Sequence, residues 1–151
     1  MQKRVCLVTE PVTDKHKAAP YIANIEKHCF SSPWSENQIL SSDDNTVFYI
    51  AKQGEKVIGY AGMYMVLDEG YVTNIGVLPE YRKKGIGKEL MERLIGLSKE
   101  KNLSFLSLEV RKTNTPAIKL YTSFEFQNVG IRKNFYTNPK EDAIIMTRFF
   151  K

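Results

Sequence analysis

Residues 71–101 read YVTNIGVLPEYRKKGIGKELMERLIGLSKEK, and this one stretch joins a strand, a basic glycine loop and a helix. Tyr71 to Val77 is β-prone, while beyond Pro79 the residues Ile86, Leu90, Leu94 and Leu97 recur three or four apart, the period of a helix with one apolar face running to about Lys101. Between them stand Arg82, Lys83, Lys84, Gly85, Ile86 and Gly87, with Lys88 just inside the helix. Glycines let a backbone approach a pyrophosphate closely, and the unpaired N–H groups and positive dipole end of a helix N-terminus supply donors for its oxygens. The same pattern also occurs as a plain turn. It is neither a Walker loop, lacking Gly-Lys-Ser/Thr, nor a dinucleotide fingerprint, whose third glycine would stand where Leu90 does.

The flanking sequence alternates between the two periods. Val5, Leu7 and Thr9 belong to a first short strand, and Pro11 to Lys17 reads as a loop. Ala18 to Phe30 carries Ile22, Ile25 and Cys29 at helical spacing; Ser31, Ser32 and Pro33 break it before a short helix from Ser35, a plausible N-cap, to Leu40. Strands are expected at 47–52, 57–66 and 71–77, and again at 103–110, where Leu106, Leu108 and Val110 share one face and Phe105, Ser107 and Glu109 the other. Asn114 caps a further helix with Ala117, Leu120, Tyr121 and Phe124 as its apolar stripe, followed by strands at 126–133 and 143–149. The order β-α-α-β-β-β-α-β-α-β-β has no repeat or linker to divide it, so residues 1–151 are expected to form one α/β domain, a single sheet flanked by helices.

Composition narrows the class of protein. With 151 residues and 42% hydrophobic content the chain can bury a core, and 22 Lys plus Arg against 17 Asp plus Glu leave a net charge of +5 that suits an anionic partner, a nucleic acid or a phosphate-rich cofactor. Cys6 and Cys29 show no disulfide or metal-knuckle spacing, and His16 and His28 lack the His-x-x-x-His pattern, so no metal is expected. Residues 1–11 lack the apolar core of a secretory signal, and no stretch approaches the roughly 18 apolar residues of a membrane span; a soluble, cytoplasmic protein is expected.

A second chemical clue lies in Leu108-Glu109-Val110-Arg111 followed by Asn114, Ala117, Ile118, Leu120 and Tyr121. A carboxylate at a strand's exit can take a proton from a bound amine directly or through water, or it can be a solvated edge residue. A tyrosine on an apolar stripe is ordinarily a core residue with its hydroxyl satisfied. Taken together they put an acid and a phenol on either side of one turn.

Val77, Pro79, Glu80, Tyr81, Arg82-x-x-Gly85-x-Gly87, Asn114-x-x-Ala117 and Leu120-Tyr121 resemble the acetyl-coenzyme A signature of the GNAT acetyltransferases. Phe30 with Pro33-Trp34-Ser35, Asn74-Ile75, Leu108-Glu109-Val110-Arg111, and Tyr136 with Asp142-Ala143-Ile144-Ile145-Met146 resemble, more narrowly, the bacterial ribosomal-protein alanine N-acetyltransferases, over nearly the whole chain. That resemblance implies a mixed, mostly antiparallel sheet and direct transfer of acetyl from acetyl-coenzyme A to a protein N-terminal amine, with no membrane or nucleic acid required. Ile75, Gly76 and Val77 would pair with the pantetheine arm, the Val77 N–H serving as oxyanion donor. Arg82, Lys83, Lys84, Gly85, Ile86, Gly87 and Lys88 would wrap the pyrophosphate, and Asn114 would bond the arm. Glu109 would be general base and Tyr121 general acid toward the thiolate, while Trp34, Tyr136 and the loop after Val66 would shape the acceptor pocket.

Amine chemistry agrees with an N-terminal acceptor, since a peptide α-amine titrates near 7.7–8.0 and lysine near 10.4, roughly two and a half units higher. Cys6 and Cys29 lie away from both clues in sequence, which disfavours a covalent cysteine route. Three positions depart from the family pattern: Glu125 replaces a glycine at a left-handed turn, Gly76 an alanine in the cofactor strand, and Phe135 one tyrosine of a Tyr-Tyr pair. The rival readings are an acetyltransferase for lysine or a small amine, and a non-catalytic nucleotide- or RNA-binding module.

Overall fold

The computed structural model describes residues 7–151, so Cys6 and the opening of the first expected strand lie outside the described residues. The elements run β1 (Leu7–Pro11), α1 (Lys15–Cys29), α2 (Glu36–Leu40), β2 (Thr46–Gln53), β3 (Lys56–Val66), β4 (Glu69–Val77), α3 (Ile86–Glu100), β5 (Phe105–Arg111), α4 (Thr115–Ser123), β6 (Gln127–Thr137) and β7 (Lys140–Phe149). This is the order expected from the sequence, with a short 3-10 turn at Pro79–Tyr81 added. The loop expected from Pro11 to Lys17 is shorter. Pro11 closes β1, and Asp14 starts α1 by accepting from the Lys17 N–H, so a cap overrode the periodicity signal. At Ser35 a full capping box forms, with Gln38 answering the cap.

The sheet order is β1-β2-β3-β4-β5-β7-β6, and every adjacent pair is antiparallel except β4 with β5. Helices cover both faces. On one side α1 and α2 bury Ile22, Ile25 and Ile39 against Phe48, Ile50 and Tyr60. On the other, α3 packs Leu90, Met91 and Leu94 against Met63, Leu106 and Leu108, each such burial contributing about 1.5–3 kcal/mol. Leu106, Leu108 and Val110 are buried on this face, while Phe105 and Glu109 on the opposite face stay partly open, as the alternation required.

Two departures from the family pattern have visible consequences. A Cβ at Gly76 would stand 3.0 Å from Ile25 Cγ2 and 3.3 Å from Cys29 Sγ, so the glycine lets α1 sit close against β4. Glu125 keeps the left-handed turn, at φ +67, despite its side chain. The turn is closed by the Glu125 N–H on Thr122 O and the Phe126 N–H on Tyr121 O, and the Glu125 carboxylate meets Arg148 at 3.3 Å from a mostly solvated position. A side chain in this backbone region costs about 1–2 kcal/mol. Glu125→Gly should therefore raise stability by about 0.5–1 kcal/mol, read as a higher thermal midpoint; a lowered midpoint would mean that the Arg148 pair outweighs the strain.

Candidate active site

The site begins where β4 and β5 part. They pair in parallel only at Glu69–Phe105, Gly70–Leu106 and Tyr71–Ser107, whereas β3 follows β4 from Val66–Glu69 to Gly59–Val77. One extra β4 residue, Thr73, bulges between the Gly62–Asn74 and Met63–Val72 pairs, just where the strands separate. Beyond it β4 has an open edge. The Leu78 N–H donates to Ile58 O at 2.9 Å, so by strand alternation the N–H and C=O groups of Val77 and Ile75 face away from β3, into the gap.

Two adjoining cavities occupy this gap and the uncovered sheet beside it. One, of about 630 Å³, is lined by Ile75, Asn114, Ala117, Tyr121 and Tyr136 among others. The second, of about 610 Å³, is walled by Trp34, Tyr64, Tyr71, Phe105, Phe135 and Phe149. Glu109 lines both, together with Val72, Thr73, Leu108 and Phe135.

Electrostatics and burial tune these groups unequally. The Glu109 carboxylate is about a third exposed and lies 3.5 Å from Arg132 Nε, a partly solvated pair of small energetic weight. Tyr121 packs its ring against Phe126 and the core while its hydroxyl has no hydrogen-bond partner among the described residues. Burial pushes that hydroxyl up to about 12, with Tyr136 adding to it. Burial and then the Glu109 charge likewise push Tyr136 up to about 12. The Arg111 guanidinium lies 4.3 Å from the Tyr136 ring centre and also bonds Pro139 O, Glu141 and Ser31 Oγ, tying the β6–β7 hairpin to the segment after α1. Glu141, bonded by Thr113 and Arg111, is held below its ordinary carboxylate pKa.

At the gap's other end is the glycine loop. Lys83 (φ +64) and Gly85 (φ +81) both adopt left-handed backbone, and nothing lies within 4 Å of a Cβ built at Gly85. Gly85 is the N-cap of α3 and no side chain caps it, so the N–H groups of Ile86, Gly87 and Lys88 have no intrahelical acceptor. A Cβ at Gly87 would lie 3.7 Å from Leu120, which puts the start of α3 against α4. Lys83, Lys84 and Lys88 stand in and beside the loop in the chain, and Lys84 Nζ lies 5.6 Å from the Tyr81 ring centre. Arg82 is placed differently: its Nε donates to Val77 O at 3.0 Å and Nη2 lies 3.5 Å from Cys29 Sγ, so it anchors the loop to the end of β4. Asn114 spends its Oδ1 capping α4 on the Ala117 N–H, which leaves its amide nitrogen for the cavity.

This arrangement, an open strand edge leading to an uncapped helix end with lysines in and beside its loop, fits an extended thioester ending in a pyrophosphate. The acetyltransferase (GNAT) family model matches residues 14–126. The chain belongs to the GNAT acetyltransferase family. A Bacillus subtilis GNAT protein, which bears the name ribosomal protein bS18 alanine N-acetyltransferase provisionally, is 41% identical over 83% of this chain and 85% of its own. The Escherichia coli K12 enzyme of that name is 38% identical over 84% and 88%, and a crystal structure of the E. coli ribosomal-protein-S18-alanine N-acetyltransferase superposes with a TM-score of 0.87 at 33% identity, covering 95% of each chain. Arabidopsis thaliana NAA60 in complex with acetyl-CoA shares the fold, with a TM-score of 0.86 at 20% identity over 96% of this chain and 99% of its own. The RNA-binding rival gives way to this membership.

The GNAT cleft gathers Glu109, Tyr121, Asn114, Ile75 and Tyr136 around one space, with Trp34 across Glu109 in the other. Sequence reading missed Arg132 and Glu141, and it quoted Arg111 in a motif without a role; their contacts join segments more than twenty residues apart. It also set Cys29 apart, whereas the thiol lines the cavity 3.3 Å from Val77 O. Burial pushes that thiol's pKa up, which keeps it protonated and unsuited to nucleophilic attack. Among the described residues no group of three or more His, Cys, Asp or Glu could hold a metal, and no helix is long and apolar enough to cross a membrane. Gly85→Val forces a β-branched residue into left-handed backbone at the uncapped start of α3, and acetyl-CoA affinity measured by calorimetry should fall at least about tenfold; an unchanged affinity would remove the loop from the binding site.

Proposed function

We propose that the protein, acting in the cytoplasm, transfers the acetyl group of acetyl-CoA to a protein N-terminal α-amine, that of the N-terminal alanine of a ribosomal protein. The observation that carries this reading is the place of Glu109 at the junction of two cavities, one along the open β4 edge and one walled by Trp34 and Phe135. The names of the relatives supply the acceptor class.

In this reading the thioester lies along β4, its carbonyl oxygen at the Val77 N–H and its pyrophosphate at residues 82–88, with Lys83, Lys84 and Lys88 neutralising charge. Glu109 takes the proton from the incoming ammonium, directly or through one water, and leaves a neutral nitrogen to attack. Tyr121 faces the sulfur. With its hydroxyl near 12 it stays protonated at neutral pH and is always a donor. A thiol near about 8.5 is the stronger acid, so Tyr121 steadies the sulfur by a hydrogen bond as charge develops, and the departing thiolate takes up the proton that the newly acylated nitrogen sheds. Trp34 walls the acceptor's cavity, whereas Tyr136, expected beside it, lines the donor's cavity with Glu109 between the two.

Two outcomes test this. Glu109→Gln should slow acetylation about a hundredfold at neutral pH, with partial recovery as rising pH supplies neutral amine unaided; a pH–rate profile of native shape would reduce Glu109 to a structural role. A peptide with a free N-terminal alanine should outcompete the same peptide with a blocked N-terminus and an internal lysine, followed by mass spectrometry of the acetylated products. Preference for the blocked lysine peptide would favour the lysine-acetylating reading.

A further inference from the structure

Glu26 on α1 is fully buried, yet no Lys, Arg or His pairs with it among the described residues. Its carboxylate is held instead by three neutral donors from three parts of the chain. Oε1 accepts from the Trp34 backbone N–H at 2.9 Å, and Oε2 accepts from the Tyr60 hydroxyl at 2.5 Å and the Asn74 amide at 3.0 Å. Burial pushes its pKa up while the three donors pull it down. A buried carboxylate without a cationic partner is a costly way to fill a core position, and an apolar side chain in its place would leave three donors without an acceptor.

The donors show what the carboxylate accomplishes. Trp34 walls the cavity assigned above to the acceptor. Asn74 is the β4 residue between the Thr73 bulge and Ile75, and it lines the cavity assigned to the acetyl donor. Tyr60 is part of the core beneath α1 and fixes the third direction. The segment from Phe30 to Ser35 otherwise meets the sheet through few polar contacts: Arg111 on Ser31 is the other side-chain bond described across it.

We propose that Glu26 is a positioning residue that sets the Trp34 wall of the acceptor cavity against the donor strand at Asn74, and so governs how the acceptor amine meets the thioester. It rests on the proposed function for the assignment of the two cavities. Glu26→Gln keeps the side chain's shape but replaces one acceptor oxygen by a donor, so that either Trp34 or the Tyr60–Asn74 pair faces an N–H group.

Trp34 is the sole tryptophan in the sequence, so the protein's tryptophan fluorescence reports this wall directly. In the folded Glu26→Gln protein the Trp34 emission should shift. The KM for an Ala-initiated peptide should rise about tenfold, as expected for one lost hydrogen bond to a charged group, and acetyl-CoA affinity by calorimetry should fall several times less, because Glu26 reaches the donor cavity only through Asn74 and makes no hydrogen bond to residues 82–88. An unmoved emission with an unchanged peptide KM overturns the proposal. So does an equal weakening of both substrates with a lowered thermal midpoint, the signature of general loosening. Should Glu26→Gln fail to fold, Asn74→Ala withdraws the β4 donor alone; a severalfold rise in peptide KM supports the proposal and an unchanged KM overturns it. Failure of the acceptor assignment is recognised separately, because then the native protein acetylates no N-terminal peptide while the Trp34 emission still reports the link.

Discussion

Everything at the site depends on β4 and β5 ceasing to pair after three residues. A strand inside a sheet normally spends its backbone donors and acceptors on two neighbours, and one edge left open inside a protein is costly unless water or a ligand meets it. Here β3 holds β4 along its whole length while β5 turns away after Tyr71–Ser107. The Thr73 bulge marks the departure point, and the amides of Ile75 and Val77 are left facing the gap. Because β5 continues on the far side, its Glu109 comes to face the same space.

Keeping that edge accessible requires rigid walls on both sides. Gly76 admits α1 to close contact with β4, and Arg82 and Cys29 both bond Val77 O, closing the strand's end. Opposite, Arg111 binds the hairpin through Glu141 and the carbonyls of Asn138 and Pro139 while supporting the Tyr136 ring. The β6–β7 register slips between Arg132 and Tyr136, which carries Phe135 off the regular ladder, while Tyr136 pairs with Glu141 and both line the cavity. The walls are thus built from charge-assisted hydrogen bonds and tight packing, which tolerate little drift.

Local rules are broken where chemistry is expected. Helix α3 begins without a side-chain cap, with left-handed backbone at Lys83 and Gly85, whereas α1, α2 and α4 are capped by Asp14, Ser35 and Asn114. An uncapped end wastes hydrogen-bonding capacity in a purely structural helix and is an asset beside a phosphate. Likewise Glu26 puts a carboxylate in the core on neutral donors, with no cationic partner among the described residues.

The sequence by itself determined the element order, the faces of α3 and β5, the caps at Ser35 and Asn114, and the glycine loop at the head of α3, because each follows from periodicity or from a contact within four residues. It also marked Glu109 and Tyr121, whose chemistry is legible in the residue type and its place at a strand exit or on a stripe. Only tertiary structure decided that β4 and β5 diverge, that Arg82 turns inward to Val77, that Cys29 faces the cleft, and that Arg111, Arg132, Glu141 and Glu26 join the walls. Those contacts link segments far apart along the chain, and their partners are chosen by strand register and helix packing, which no local pattern of residues encodes.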